Sequence, residues 1–117
     1  MFEAITTHVI TDIQSKPKVP HNPNHWELLG RPCLVLEAEY DQPAWLAVEL
    51  EQEPGVLHRF RTSPVVQWTG ECDFFGKFHG MLLLETKHTY YTIEEVPEGE
   101  GKLCHTRFDL DDYKSIY

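Results

Sequence analysis

Three signatures that announce function in many chains of this size are missing. The three cysteines, Cys33, Cys72 and Cys104, are odd in number and widely spaced, so no Cys-x-x-Cys knuckle supplies two metal ligands from one turn and no paired disulfide framework is indicated. Gly70, Gly76 and Gly80 are too dispersed to form a phosphate-cradling loop. Apolar residues never run uninterrupted for the length of a membrane-spanning helix.

Positive charge is also scarce. Ten Lys and Arg against nineteen Asp and Glu leave a formal net charge of -9, and such a surface repels phosphate backbones unless its basic residues are concentrated in one patch. Residues up to His58 carry three basic and nine acidic side chains, and those from Arg59 onward carry seven and ten. Neither part is a nucleic-acid arm, and the interspersed charges argue against an acidic mimic of nucleic acid. The chain opens on Met-Phe-Glu-Ala, without a basic segment leading into an apolar core. The expectation is a cytoplasmic, reduced protein that engages neither nucleic acid nor membrane and whose cysteines pack as small hydrophobes.

What is present is enough to build one core. In 117 residues, 41% are apolar and fourteen are aromatic (three Trp, five Tyr and six Phe), which suits a single domain over residues 1–117. Ala4 to Ile13 is rich in Ile, Thr and Val and favours a strand, with a terminal helix as the alternative. Pro17, Pro20 and Pro23 make the next stretch an extended connector. Asn24 is placed to cap one helical turn ending at Gly30, with Trp26 and Leu29 expected to face the sheet.

From Cys33 to Tyr40 the side chains alternate, placing Leu34, Leu36, Ala38 and Tyr40 on one face and Val35, Glu37 and Glu39 on the other. After the turn signal Asp41-Gln42-Pro43, Ala44, Leu46, Val48 and Leu50 share a face. Glu53-Pro54-Gly55-Val56 then turns the chain into a hairpin partner, Leu57 to Thr62. Pro64 is expected to mark a bend or edge, because proline cannot donate within a central ladder. The chain is then expected to turn through Gly70, Gly76 and Gly80. Met81 to Val96 is too long for one ordinary strand and is expected to break at Thr86-Lys87-His88. Beyond the acidic loop Pro97 to Gly101, Leu103 to Phe108 reads as a last strand and Asp109 as the cap of a short terminal helix. Short strands separated by turn signals predict an α+β, mainly β fold: a strongly bent antiparallel sheet or half-barrel of about five to seven strands, with one or two short helices.

No catalytic constellation emerges. His21 and His25 have the spacing of helical metal ligands, but Pro23 lies between them. Cys72, Cys104 and His105 with His79 or His88 read as packed cysteines and partly exposed histidines rather than a zinc set. Ser63 with His88 and Cys72 with His79 are the only nucleophile pairs worth sketching, and neither carries a nucleophile elbow. Ser63 before Pro64 reads more simply as a turn residue whose hydroxyl satisfies local backbone. No metal and no cofactor is assigned. Arg59 and Arg61, two apart on one strand face, are able to grip a carboxylate or phosphate, although cross-strand glutamates compete for them. Tyr90 and Tyr91 must point to opposite faces, which suggests a second surface.

The pattern Arg61-Thr62-Ser63-Pro64-Val65-Val66, then Leu84-Glu85-Thr86 with Thr89 and Tyr91-Thr92-Ile93, resembles small uncharacterised bacterial proteins met in mobile gene cassettes. The resemblance implies a small β-rich cytoplasmic protein and assigns no activity. The functional expectation is a noncatalytic binding or interaction protein, homodimeric through an edge strand or aromatic face, with a protein or small-molecule partner. The alternative is a small-molecule binder or enzyme with an aromatic-lined cavity. Candidate ligand or interface residues are Trp45, His58, Arg61, Trp68, His88 and Tyr90. The breaks at Pro64 and at Thr86 to His88 are the places where a strand can re-aim side chains toward a ligand.

Overall fold

Period-two patterning dominates this chain, and the computed structural model is accordingly mostly β. It describes the backbone of residues 4–6, 8–20, 22, 25–53, 56–72, 74, 78–95, 103–105 and 107–115, and the side chains of those between 8 and 95. The elements are β1 (Ala4–Thr6), β2 (His8–Ser15), α1 (His25–Leu28), β3 (Pro32–Glu37), β4 (Pro43–Glu49), β5 (Val56–Cys72), β6 (Phe78–Thr86), β7 (Thr89–Glu95), β8 (Leu103–His105) and β9 (Arg107–Ser115). Six of them close into an antiparallel barrel in the order β4-β3-β2-β7-β6-β5, with β5 returning to β4. The expected bent sheet is present, and it is closed. β1 pairs with β8 in a separate two-stranded ladder.

Closure depends on β5. Its 17 residues would reach about 56 Å if straight, longer than the molecule's greatest extent of 38 Å, so the strand has to bend. Its first half pairs with β4, from Glu49 opposite Leu57 to Pro43 opposite Pro64. Its second half pairs with β6, from Val65 opposite Thr86 to Cys72 opposite Phe78. Pro64 therefore does not end the strand, but it sits where the strand changes partner. Pro43 and Pro64 face each other with no N–H between them, which weakens the ladder there. The edge of β5 left open along Val56 to Arg61 is taken by β9, in parallel. A terminal helix capped by Asp109 is thus replaced by a strand, because an open edge offers the backbone a full row of partners.

Inside the barrel, Ile10, Leu46, Phe60, Leu82, Leu84, Tyr91 and Ile93 are essentially inaccessible to solvent, each contributing about 1.5–3 kcal/mol of burial. The shared inward face of Ala44, Leu46, Val48 and Leu50 is as expected. On β3 the expected face is only half right. Cys33 and Val35 pack on the core, Leu34 is half-buried, and Leu36 is 44% exposed. Alternation from Cys33 and Val35 turns Leu34 and Leu36 away from the core, and the bulge between Val35, which faces Leu46, and Glu37, which faces Trp45, then resets the alternation and returns Ala38 to the core side.

The helical turn also presents a different face. His25 and Leu28, three apart, are buried, whereas Trp26 is 71% exposed and Leu29 half-buried. The Gly30 N–H donates to the Ile10 carbonyl at 2.8 Å and the Ile10 N–H to the Arg31 carbonyl at 3.2 Å. These bonds lash the helix end to β2 and turn His25 inward, where its ring meets Tyr91 edge-on at 6.0 Å. Gly30 has φ of 75°, the left-handed conformation a helix terminus assigns to glycine. The Asn24 cap, His21, the loop at residues 97–101 and Gly76 lie outside the described residues.

Gly70 is not a turn but an interior residue of β5, facing an irregularity in which Thr69 pairs with Leu83 and Glu71 with His79. Gly80, in that irregularity, has φ of 69°. The expected division of Met81 to Val96 is observed as the β6–β7 hairpin, turned by Lys87 and His88. Tyr91 is buried and Tyr90 exposed, on opposite faces as extended geometry requires.

Candidate functional site

The two breaks expected from the sequence meet in space. Where β5 passes from β4 to β6, the start of β4 and the end of β6 diverge, and the β6–β7 turn drops into the gap. The Lys87 N–H donates to the Pro64 carbonyl at 2.9 Å, and the His88 N–H donates to Ser63 Oγ at 3.2 Å. On the other side the Val65 N–H donates to the Gln42 carbonyl and the Asp41 N–H to the Val65 carbonyl, both at 2.9 Å. Thr62, fully buried, accepts the Ala44 N–H at 3.0 Å and donates to the Ser63 carbonyl at 2.7 Å. These cross-links rigidify a junction that proline leaves short of ladder bonds.

A cleft of about 310 Å³ opens at this junction, lined by Pro43, Arg61, Ser63, Pro64, Lys87 and His88. Among the described lining residues Arg61 and Lys87 are cationic and His88 is an imidazole. Arg61 faces outward on β5 directly opposite Trp45. The guanidinium carbons of Arg59 and Arg61 lie 5.4 and 6.0 Å from the Trp45 ring centre, a stacking that restricts both forks. His88 Nδ1 is removed from solvent and makes no hydrogen bond among the described residues. A polar atom so placed is an acceptor or donor held in reserve.

Ser63 shows how the site differs from a nucleophile pair. Its hydroxyl accepts the main-chain N–H of His88, 25 residues away, so it satisfies a distant backbone group from within β5 rather than local backbone from a turn as the sequence suggested. Cys72 and His79 are opposite adjacent residues, Phe78 and Glu71, and so project to opposite faces of their ladder. His79 Nδ1 instead lies 3.3 Å from Glu95. The Gly80 N–H beside Glu95, aided by the imidazoles of His79 and His8, holds that carboxyl below its usual range. Among the described residues no group of three or more His, Cys, Asp or Glu is placed to hold a metal ion.

The six candidates from the sequence separate into four places. Trp45, Arg61 and His88 gather at the junction. His58 faces Val48 across the β4–β5 ladder, with Nε2 3.3 Å from Glu53 but outside hydrogen-bond geometry. Trp68 packs against the margin of the core, meeting Phe78 edge-on at 5.2 Å and Tyr40 at 6.3 Å. Tyr90 lies on the outer wall beneath the Lys16 ammonium, 5.1 Å from its ring centre, beside a hollow of about 210 Å³ lined with Gln67, Thr69, Leu83, Glu85 and Thr92. Pro64 and Lys87, which also line the cleft, belong to the two breaks that the sequence marks as functional places, whereas Pro43 reads in the sequence only as part of a turn signal. Nothing near Pro43 in the sequence signals that it meets Pro64, because their pairing depends on the register of β4 against β5.

No protein family, no curated protein and no solved structure matches the chain. No helix among the described residues is long and apolar enough to cross a membrane.

Proposed function

We propose that the protein is a noncatalytic binding protein whose recognition site is the junction cleft on the outer wall of the barrel. The observation that carries this reading is the contrast between a barrel interior occupied by its own side chains and an outward cleft on which Trp45, Arg61 and His88 converge. Binding proteins place a few polar groups on a rigid scaffold in this way. The absence of an assembled nucleophile and base among the described residues supports binding over catalysis. Cys33 and Cys72 are unbridged, which supports the reading of a reducing, cytoplasmic setting, and the net charge of -9 supports a partner other than nucleic acid.

A thermal-shift screen of metabolites on the wild type and on Arg61→Gln tests the assignment. Ligands are expected that raise the wild-type midpoint by several degrees and lose that effect in the variant. Hits that stabilise both proteins equally would place the site elsewhere.

A homodimer is favoured by a separate observation. Met81, Leu83 and Tyr90 are 51%, 44% and 46% exposed and share the outer face of the β6–β7 hairpin with Glu94, Thr92 and Glu85 opposite them, a mixed surface that a second copy would cover. Sedimentation at rising concentration should show a dimer that Leu83→Asp dissolves; a monomer at every concentration would remove this reading.

A further inference from the structure

We infer that the edge of β5 from Val66 to Cys72 is a docking site for an extended segment of a partner protein, a strand with Lys or Arg near both ends. The inference is independent of the junction cleft and rests on where β5 directs its main-chain groups. Consecutive residues of a strand direct them to opposite edges. The Pro64 carbonyl accepts the Lys87 N–H on the edge that β6 occupies. On the edge that β4 occupies, the Val65 N–H donates to the Gln42 carbonyl and the Val65 carbonyl accepts the Asp41 N–H. The last pairing there is the isolated bridge between Tyr40 and Val65. Beyond it, from Val66 to Cys72, no strand among the described residues pairs with this edge.

The residues along the edge stand open to solvent. Val66 is 52% exposed, and Gln67, Thr69, Glu71 and Cys72 are exposed with it. The stretch contains neither proline nor lysine, with which free edges are commonly guarded. Such a row of main-chain groups reaches about 20 Å and receives an added strand by backbone pairing. The surrounding side chains define the occupant. Tyr40, 57% exposed, lies 6.3 Å from Trp68, an aromatic surface for one apolar side chain. Glu39 and Asp41 are exposed at the Val65 end, and Glu71 near the other. The sequence has no Lys or Arg between Arg31 and Arg59 or between Arg61 and Lys77, so the segments that border the edge carry acids without bases. An incoming strand that is basic at its ends matches them in either direction. A second copy docked antiparallel would instead bring Glu71 against the Glu39 and Asp41 end of the first.

Amide hydrogen exchange of the full chain, read by NMR with and without the capped peptide Lys-Val-Thr-Val-Thr-Val-Lys, tests the inference. The peptide should slow exchange at alternate residues between Val66 and Cys72, and a counterpart with Glu at both ends should bind about tenfold more weakly. Of two Lys-ended peptides N-methylated at odd or at even positions, one should keep its binding and the other lose it, because the incoming strand pairs through a single edge. Glu71→Lys, a change at an exposed position, should weaken the Lys-ended peptide about threefold and strengthen the Glu-ended one. Unchanged exchange between Val66 and Cys72 at millimolar peptide would overturn the inference, as would equal binding of both methylated peptides. Protection that grows with protein concentration alone would also overturn it, since the occupant would then be a second copy.

Discussion

Two weak acids, Cys33 and Tyr91, are enclosed in the barrel. Burial pushes the Cys33 thiol up to about 12, and it pushes the Tyr91 phenol above its ordinary range despite an opposing hydrogen bond with Thr89. Both must stay protonated in the folded chain, whereas in the unfolded chain the thiol ionises near about 8.5 and the phenol near about 10. Above those values the unfolded state binds fewer protons, so stability falls as pH rises, by up to about 1.4 kcal/mol per pH unit for each group. Denaturant unfolding from pH 7 to 11 should show a loss beginning near 9 and steepening past 10. Tyr91→Phe should make the upper part of that loss shallower, and an unchanged slope in this variant would contradict the burial of the phenol. The same enclosure keeps Cys33 from thiol reagents in the native protein while exposed Cys72 reacts. Peptide mapping after brief alkylation should find label on Cys72 and, until the protein is unfolded, none on Cys33.

Arg31 and Glu49 illustrate a charged pair holding elements rather than a ligand. Arg31 Nε donates to the Glu49 carbonyl at 2.9 Å, and its terminal nitrogen donates to the Glu49 carboxylate at 2.8 Å. This explains a glutamate of β4 that is outward-facing yet only 6% exposed. Arg31→Ala should lower unfolding free energy by about 2 kcal/mol, the scale of charge-assisted bonds lost from a part-buried site.

Among the elements, β5 decides the architecture, and the junction at Pro64 decides the site. Ser63→Ala removes the acceptor for the His88 N–H and should cost about 1 kcal/mol. Hydrogen exchange should speed up at His88 while Lys87, bonded to the Pro64 carbonyl, stays protected; unchanged exchange at His88 would show that the hydroxyl is not its partner. At Gly70 an added Cβ would meet Leu82 Cδ1 at 3.1 Å and the Met81 carbonyl oxygen at 3.4 Å. Gly70→Val should therefore destabilise by about 1–3 kcal/mol.

Elements were legible in the sequence where a local rule governed them. The Ala44 to Leu50 face followed from alternation, and the Lys87-His88 turn from a run too long for one strand with a polar centre. Where a distant partner governed, local pattern misled. Cys33 and Val35 took the core side in place of Leu34 and Leu36, and the bulge that returns Ala38 to that side is set by pairing with β4. His25 rather than Trp26 turned inward because β2 fixes the helix end. Arg107 to Ser115 became a strand because β5 has an edge to spare. The site divides in the same way: Arg61 and His88 were each visible as candidates, but their meeting depends on strand order, which no window of sequence contains.

At the scale of the whole molecule, a closed barrel whose interior holds its own side chains is the reason the proposed recognition site lies on its outside. Phe60 is among the largest fully buried side chains, and Phe60→Ala should cost about 3–5 kcal/mol, a large fraction of the stability of a domain this size.

The most direct test is a residue-resolved NMR titration of the isotopically labelled chain with a compound that the thermal-shift screen returns as stabilising the wild type. The perturbed amides should cluster at Arg61 to Val65 and at Thr86 to Thr89, with the indole N–H of Trp45 moving in step. Shifts confined to the outer hollow around Leu83 and Tyr90, or to the interior side chains, would contradict the assignment of the junction cleft as the binding site.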